Sequence, residues 1–128
     1  MSLGVQDILV SLRFYDAVLA PLGLVRVWSD LRAAEPGQGV GYGLPGGTDV
    51  LALKERATEP VGLGSGFHLA FAAPSRAAVE RFHAIALSCG GRSAGAPGPR
   101  PDYGEYYYAA FVLDPDGHRL EAVIDTPP

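Results

Sequence analysis

The sequence predicts an α+β fold made of two copies of one strand-helix-strand-strand-strand unit. Three observations carry that expectation. The first is a helix signature that recurs: Arg13-Phe14-Tyr15 matches Arg81-Phe82-His83, and Gly23 matches Gly91 at the same spacing. The second is a turn that recurs two residues further out of phase, Pro45-Gly46-Gly47 against Pro115-Asp116-Gly117. The third is that each helical pattern is followed by short apolar runs broken by glycine and proline, the mark of strands joined by turns. Internal duplication fixes architecture before any other feature does.

The elements follow in order. Ser2 to Val5 is a short apolar strand. Asp7 caps a helix with Leu12, Tyr15, Leu19 and Leu22 at helical spacing, Phe14 and Val18 beside them, and Pro21 and Gly23 at its end. Leu24 to Trp28 reads as a strand, and Val40, Tyr42 and Leu44 alternate between glycines as in another. Pro45-Gly46-Gly47 turns the chain into a strand at Val50 to Leu53, and residues 54–66 are polar and glycine-rich, suiting a linker. Phe67 to Ala73 opens the second unit. Ser75 caps a helix with Val79, Phe82, Ile85, Ala86 and Cys89 inward, closed by Gly90-Gly91. Residues 93–104 read as a proline- and glycine-rich loop, with a short strand as an alternative just before it. The chain ends in a hairpin whose turn, Asp114-Pro115-Asp116-Gly117, has the residues of a type I turn.

At 128 residues, with 48% apolar content, one domain is expected, with a first module over about 1–58, a linker over about 59–66 and a second module over about 67–125. A net charge of −4 provides no cationic surface for nucleic acid or anionic lipid. A single cysteine, Cys89, fits a reducing compartment, and no signal peptide or membrane span is read, so a cytoplasmic protein is expected.

Chemistry is sought where alternation leaves a hollow. On the first strand of the second unit, His68 shares a face with Ala70 and Ala72, opposite Phe67, Leu69 and Phe71. On the last strand Glu121 lies between Leu120 and Ala122. A carboxylate there faces either water or a cavity that uses it. Tyr108 shares the Glu121 face if the hairpin loop is residues 114–117; if Gly117 forms a bulge, the register slips by one and Tyr107 replaces it. Arg100, Asp102 and Tyr103 sit in the loop that could lean over such a hollow. His83 is placed on a helix side, His118 in a solvated turn, and Cys89 in packing. The glycine runs at 37–43 and 62–66 open no helix, so neither is read as a phosphate loop.

Several stretches together resemble the vicinal oxygen chelate superfamily of glyoxalases, bleomycin-resistance proteins and extradiol dioxygenases. They are residues 14–19 with Pro21-Leu22-Gly23, Phe67-His68-Leu69-Ala70-Phe71, Tyr107 to Ala110, and Asp114-Pro115-Asp116-Gly117 with Leu120-Glu121. Within it the chain is most similar to small glyoxalase-like members without an assigned activity. The resemblance implies paired βαβββ modules curling into an open cup and a homodimer. It also implies a divalent metal, one of Fe, Ni, Mn or Zn, held by first- and last-strand residues. His68 and Glu121 fall on two such ligand positions, with Glu121 also the candidate catalytic group and Tyr108, Tyr103 and Arg100 the candidate ligand contacts. The repeat spacing puts the other two positions at Leu51 and just before Met1, and neither supplies a ligand. Two functions are therefore expected to compete: a metal-dependent lyase, isomerase or dioxygenase acting on a small oxygen-rich molecule, and a metal-free protein that sequesters a small molecule as bleomycin-resistance proteins do.

Overall fold

The computed structural model describes residues 1–33, 35–58, 61 and 66–128. Its elements are β1 (Ser2–Val5), α1 (Ile8–Leu19), a 3-10 turn (Ala20–Leu22), β2 (Val25–Asp30), β3 (Gly39–Gly43), β4 (Asp49–Glu55), β5 (Leu69–Ala72), α2 (Arg76–Ser88), β6 (Arg92–Pro99), β7 (Tyr107–Leu113) and β8 (Arg119–Asp125). They form two four-stranded sheets with orders β1-β4-β3-β2 and β5-β8-β7-β6. In each, the first strand runs parallel to the last and the other pairs are antiparallel. This is the expected α+β fold of two βαβββ units.

Local chemistry sets the helix ends. Asp7 accepts from the backbone N–H groups of Leu9 and Val10, and Ser75 accepts from that of Ala78, so each helix begins on a side-chain cap. Pro21 tightens the end of α1 into the 3-10 turn, and Gly23 follows at φ 82°, a conformation that only glycine adopts at little cost. Each helix buries one stripe: Ile8, Phe14, Tyr15, Val18 and Leu19 on α1, and Ala78, Val79, Phe82 and Ala86 on α2. These stripes meet the inner faces of both sheets in one apolar cluster.

The most connected polar group in that cluster is the Asp114 carboxylate, which is 3% exposed. Its Oδ1 accepts from the backbone N–H groups of Asp116 and His118 at 2.9 and 2.8 Å. Its Oδ2 takes the Tyr15 hydroxyl at 2.5 Å and His118 Nδ1 at 2.8 Å. Asp116 reinforces the junction by accepting from the Gln6 N–H and the Ser11 hydroxyl. The hairpin turn of the second unit is thereby fastened to the helix of the first.

Four expectations change. Residues 92–99 form strand β6 rather than a loop. Its edge position tolerates Pro97 and Pro99, and its irregular register between Ser93 and Gly98 hides it from a test of alternation. His118 is 2% exposed rather than solvated, because Asp114 turns its ring inward. Cys89 is exposed, beyond the buried stripe of α2. Strand β4 continues to Glu55, so the polar stretch begins later than expected. Most of the linker read over 59–66, including the glycine run at 62–65, lies outside the described residues. Among the described residues no helix is long and apolar enough to cross a membrane.

Two outcomes follow from the Asp114 junction. Replacing Tyr15 with Phe deprives a buried carboxylate of a donor and lowers unfolding free energy by about 1–3 kcal/mol, read from urea denaturation. The hydrogen bond to Asp114 raises the His118 pKa above its ordinary 6.5, against the opposing effect of burial. A raised pKa means the folded state favours the proton. This contribution is therefore complete below pH 6.5 and is lost as pH climbs through the raised value. Urea midpoints measured across that interval decline with pH from this pair in the native protein, and the His118→Asn variant lacks that component.

Candidate functional site

The hairpin register decides what faces the hollow of the second sheet. Gly117 lies at φ 88° and its N–H closes the turn on the Asp114 carbonyl at 2.9 Å, while the Asp114 N–H reaches the His118 carbonyl. The left-handed glycine adds one residue to the loop, so Leu113 pairs with Arg119 and Phe111 with Glu121. Arg119, Glu121 and Val123 thus share a face with Phe111, Ala109 and Tyr107. Tyr108 falls on the opposite, helix-packed side, correcting its expected place beside Glu121. Its hydroxyl donates to Glu80 at 2.8 Å and the Arg76 guanidinium lies over its ring.

His68 immediately precedes β5, and Ala70 pairs with Glu121 on the neighbouring strand. Its Nε2 lies 3.1 Å from Glu121 Oε1. The imidazole side chain is 46% exposed and the carboxylate side chain 3%, so the ring opens to the hollow while the carboxylate is sunk behind it. The other carboxylate oxygen accepts from the Tyr107 hydroxyl. Burial, strengthened by this bond to Glu121, pushes the Tyr107 pKa up to about 12, so the phenol remains a donor at neutral pH. Tyr103 packs edge-on against Tyr107, with ring centroids 5.4 Å apart.

In front of this group is a cavity of about 400 Å³ lined by His68, Gly95, Arg100, Tyr103, Phe111 and Arg119. The hollow therefore brings together His68, Glu121, Tyr103 and Arg100. Phe111 and Arg119 complete it and were not among the candidate contacts, and Tyr107 enters as the alternative to Tyr108 that a Gly117 bulge required. Strand alternation from Glu121 identifies Arg119, and the bulged register, once chosen over the four-residue loop, identifies Phe111 with Tyr107.

The matching face of the first sheet is different. Ser2 pairs with Ala52 as Ala70 pairs with Glu121. A bulge between Tyr42 and Gly43 adds one residue to β4, so Ala52, not Leu51, is the counterpart of Glu121. Leu51 points into the core. The Trp28 indole lies across Gly39 and Gly41 on this face, where a Cβ at Gly41 would collide with the ring, and its Nε1 donates to Asp49 at 2.9 Å.

Two groups of side chains bear on metal binding. Adjacent ligands of one ion, with metal–donor bonds of about 2.0–2.2 Å, lie about 3 Å apart when their angle is near a right angle. The His68–Glu121 spacing fits that requirement, and Ala52 contributes nothing. Donor atoms of Asp114, Asp116 and His118 also lie within 4.8 Å of one another, close enough to surround an ion. There, however, the Asp114 and Asp116 oxygens already accept N–H and O–H bonds that join the two units.

Comparison with known proteins agrees with this architecture. Residues 1–122 match the family model of the Glyoxalase/Bleomycin resistance protein/Dioxygenase superfamily. A glyoxalase/bleomycin resistance protein from Albidiferax ferrireducens T118 is 31% identical, with a TM-score of 0.76 over 98% of this chain and 95% of that one. A glyoxylase/bleomycin resistance protein/dioxygenase domain from Frankia sp. EAN1pec is 21% identical, with a TM-score of 0.72 over 98% of this chain and 94% of that one. Glyoxalase I from Zea mays shares the fold at 22% identity and a TM-score of 0.74, over 96% of this chain but 44% of the maize chain. No curated protein matches. By its family match, and by the two βαβββ units that carry the site, the chain belongs to the glyoxalase/bleomycin resistance protein/dioxygenase superfamily.

Proposed function

We propose that the hollow of the second sheet takes a small oxygen-bearing molecule and that His68 and Glu121 hold a divalent ion there, as part of a metal-assisted lyase, isomerase or dioxygenase. The observation that carries this reading is the 3.1 Å approach of His68 Nε2 to Glu121 Oε1, with His68 lining a cavity of about 400 Å³. A bound Fe, Ni, Mn or Zn ion would act as a Lewis acid toward adjacent ligand oxygens. The protein's own groups do the rest. Tyr107 fixes Glu121 Oε2, leaving Oε1 as the atom aimed toward His68 and available to take a proton from the ligand. Phe111 and Tyr103 provide apolar walls that orient the ligand and exclude water.

A second reading, metal-free sequestration of a small molecule, is favoured by Ala52, which supplies no ligand where the first unit matches Glu121. Calorimetric titration of purified protein with Zn(II), Ni(II) and Mn(II) separates the two. The metal-assisted reading expects one ion per chain, with uptake abolished in His68→Ala and in Glu121→Gln. It also expects about 10-fold weaker uptake in Tyr107→Phe, whose loss frees the carboxylate to turn. Absence of uptake by the native protein leaves sequestration as the function.

The homodimer expected from the sequence has a corresponding surface. Leu22, Leu24, Leu44, Val50, Leu69 and Phe71 line an apolar groove of about 320 Å³ where the units meet, and Leu44 and Val50 are 62% and 53% exposed. Contiguous exposed apolar area of this kind marks an interface, and a second copy of this chain is the proposed partner. Sedimentation velocity then reports a dimer for the native protein and a monomer for the Leu44→Glu/Val50→Glu double variant.

A further inference from the structure

We infer that this hollow selects a small aromatic carboxylate, its ring against Phe111 and Tyr103 and its negative end between the Arg100 and Arg119 guanidinium groups, an inference that rests on the small-molecule reading above. Arg100 is seated in advance. Its guanidinium lies across two glycines of β6: a Cβ at Gly95 would stand 3.3 Å from Nη2, and one at Gly98 3.2 Å from Nη1. It donates to the carbonyls of Ala96, Gly98 and Pro99 at 2.7, 2.9 and 3.3 Å, and its Cζ lies 5.6 Å from the centre of the Phe111 ring. Neutral carbonyls and an aromatic face fix the orientation of a guanidinium without cancelling its charge.

Arg119 lies two residues before Glu121 on the same strand face and lines the same cavity. Among the described residues no carboxylate pairs with either arginine. Glu121 belongs to the same constellation, but it is 2% exposed, set behind the His68 ring, with Oε2 held by Tyr107. The described residues that line the cavity thus include two guanidinium groups and no carboxylate, in a chain whose net charge is −4. Two forked donors favour a carboxylate over a neutral amide and repel an amidinium. The cavity volume suits a ligand of one ring.

Benzoate, benzamide and benzamidine share one shape and carry charges of about −1, 0 and +1 at neutral pH, which isolates the charge preference. NMR titration of the full chain is expected to show benzoate binding at least about tenfold tighter than either of the others. Arg119→Gln, at an exposed position that the fold does not need, lowers benzoate affinity about tenfold and leaves benzamide affinity unchanged, and Arg100→Gln does the same. Benzamide or benzamidine binding as tightly as benzoate overturns the inference while leaving the small-molecule reading intact. No shift with any of the three overturns the inference as well. Combined with no metal uptake in the calorimetric titration, it overturns the underlying reading too.

Discussion

The Asp114 carboxylate is the constraint on which the rest of the molecule depends. Buried among the helices and the hairpin, it is affordable only because every lone-pair direction meets an N–H or O–H donor. Three of those donors, the Asp116 and His118 N–H groups and His118 Nδ1, belong to its own five-residue loop. A five-residue loop, rather than four, adds one residue to the hairpin. That extra residue puts Glu121 opposite Phe111 and within reach of Tyr107. The fourth donor, Tyr15, comes from the first unit and ties the placement of the hairpin to that of α1. One group thus determines both how the units dock and which side chains enter the hollow.

The two units have the same backbone plan and opposite uses for their sheet faces. In the second, small residues on β5 and β6 leave room, and the polar groups sit at the bottom of that room. In the first, the glycines of β3 admit the Trp28 ring, so the space that alternation would otherwise open is filled from within. Chemistry placed on one face only is consistent with a donor set of His68 and Glu121, without a contribution from Ala52. It also explains why the fold, shared with proteins 21% and 22% identical, does not by itself name a reaction.

Much of this was legible in the sequence, and the remainder was not for physical reasons. Caps at Asp7 and Ser75, stops at Gly23 and Gly90, and the Asp114–Gly117 turn are local, so residue type alone reports them. The strand faces of His68 and Glu121 follow from period-two alternation, and the structure brings the two residues together. What failed depended on register. Bulges at Tyr42/Gly43 and at Gly117 each shift the ladder by one residue: the first moved the expected counterpart of Glu121 from Ala52 to Leu51, and the second decides for Tyr107 between the two tyrosines that the sequence left open. Strand β6 was read as no more than a short strand before a loop, because an edge strand with two prolines and two register breaks has no period to read. His118 was misplaced because its burial is imposed by a carboxylate that only tertiary packing makes scarce of water.

The indole of Trp28 gives the first unit an unused capacity. It works as a removable stopper, held by one bond to Asp49 and by the bareness of Gly39 and Gly41. A smaller residue at 28 would bare the sheet face over Gly39 and Gly41, and donors introduced around Ala52 would have somewhere to converge. The repeated plan thus holds a second sheet face, covered by a single ring, on which a specificity could be built without disturbing the first.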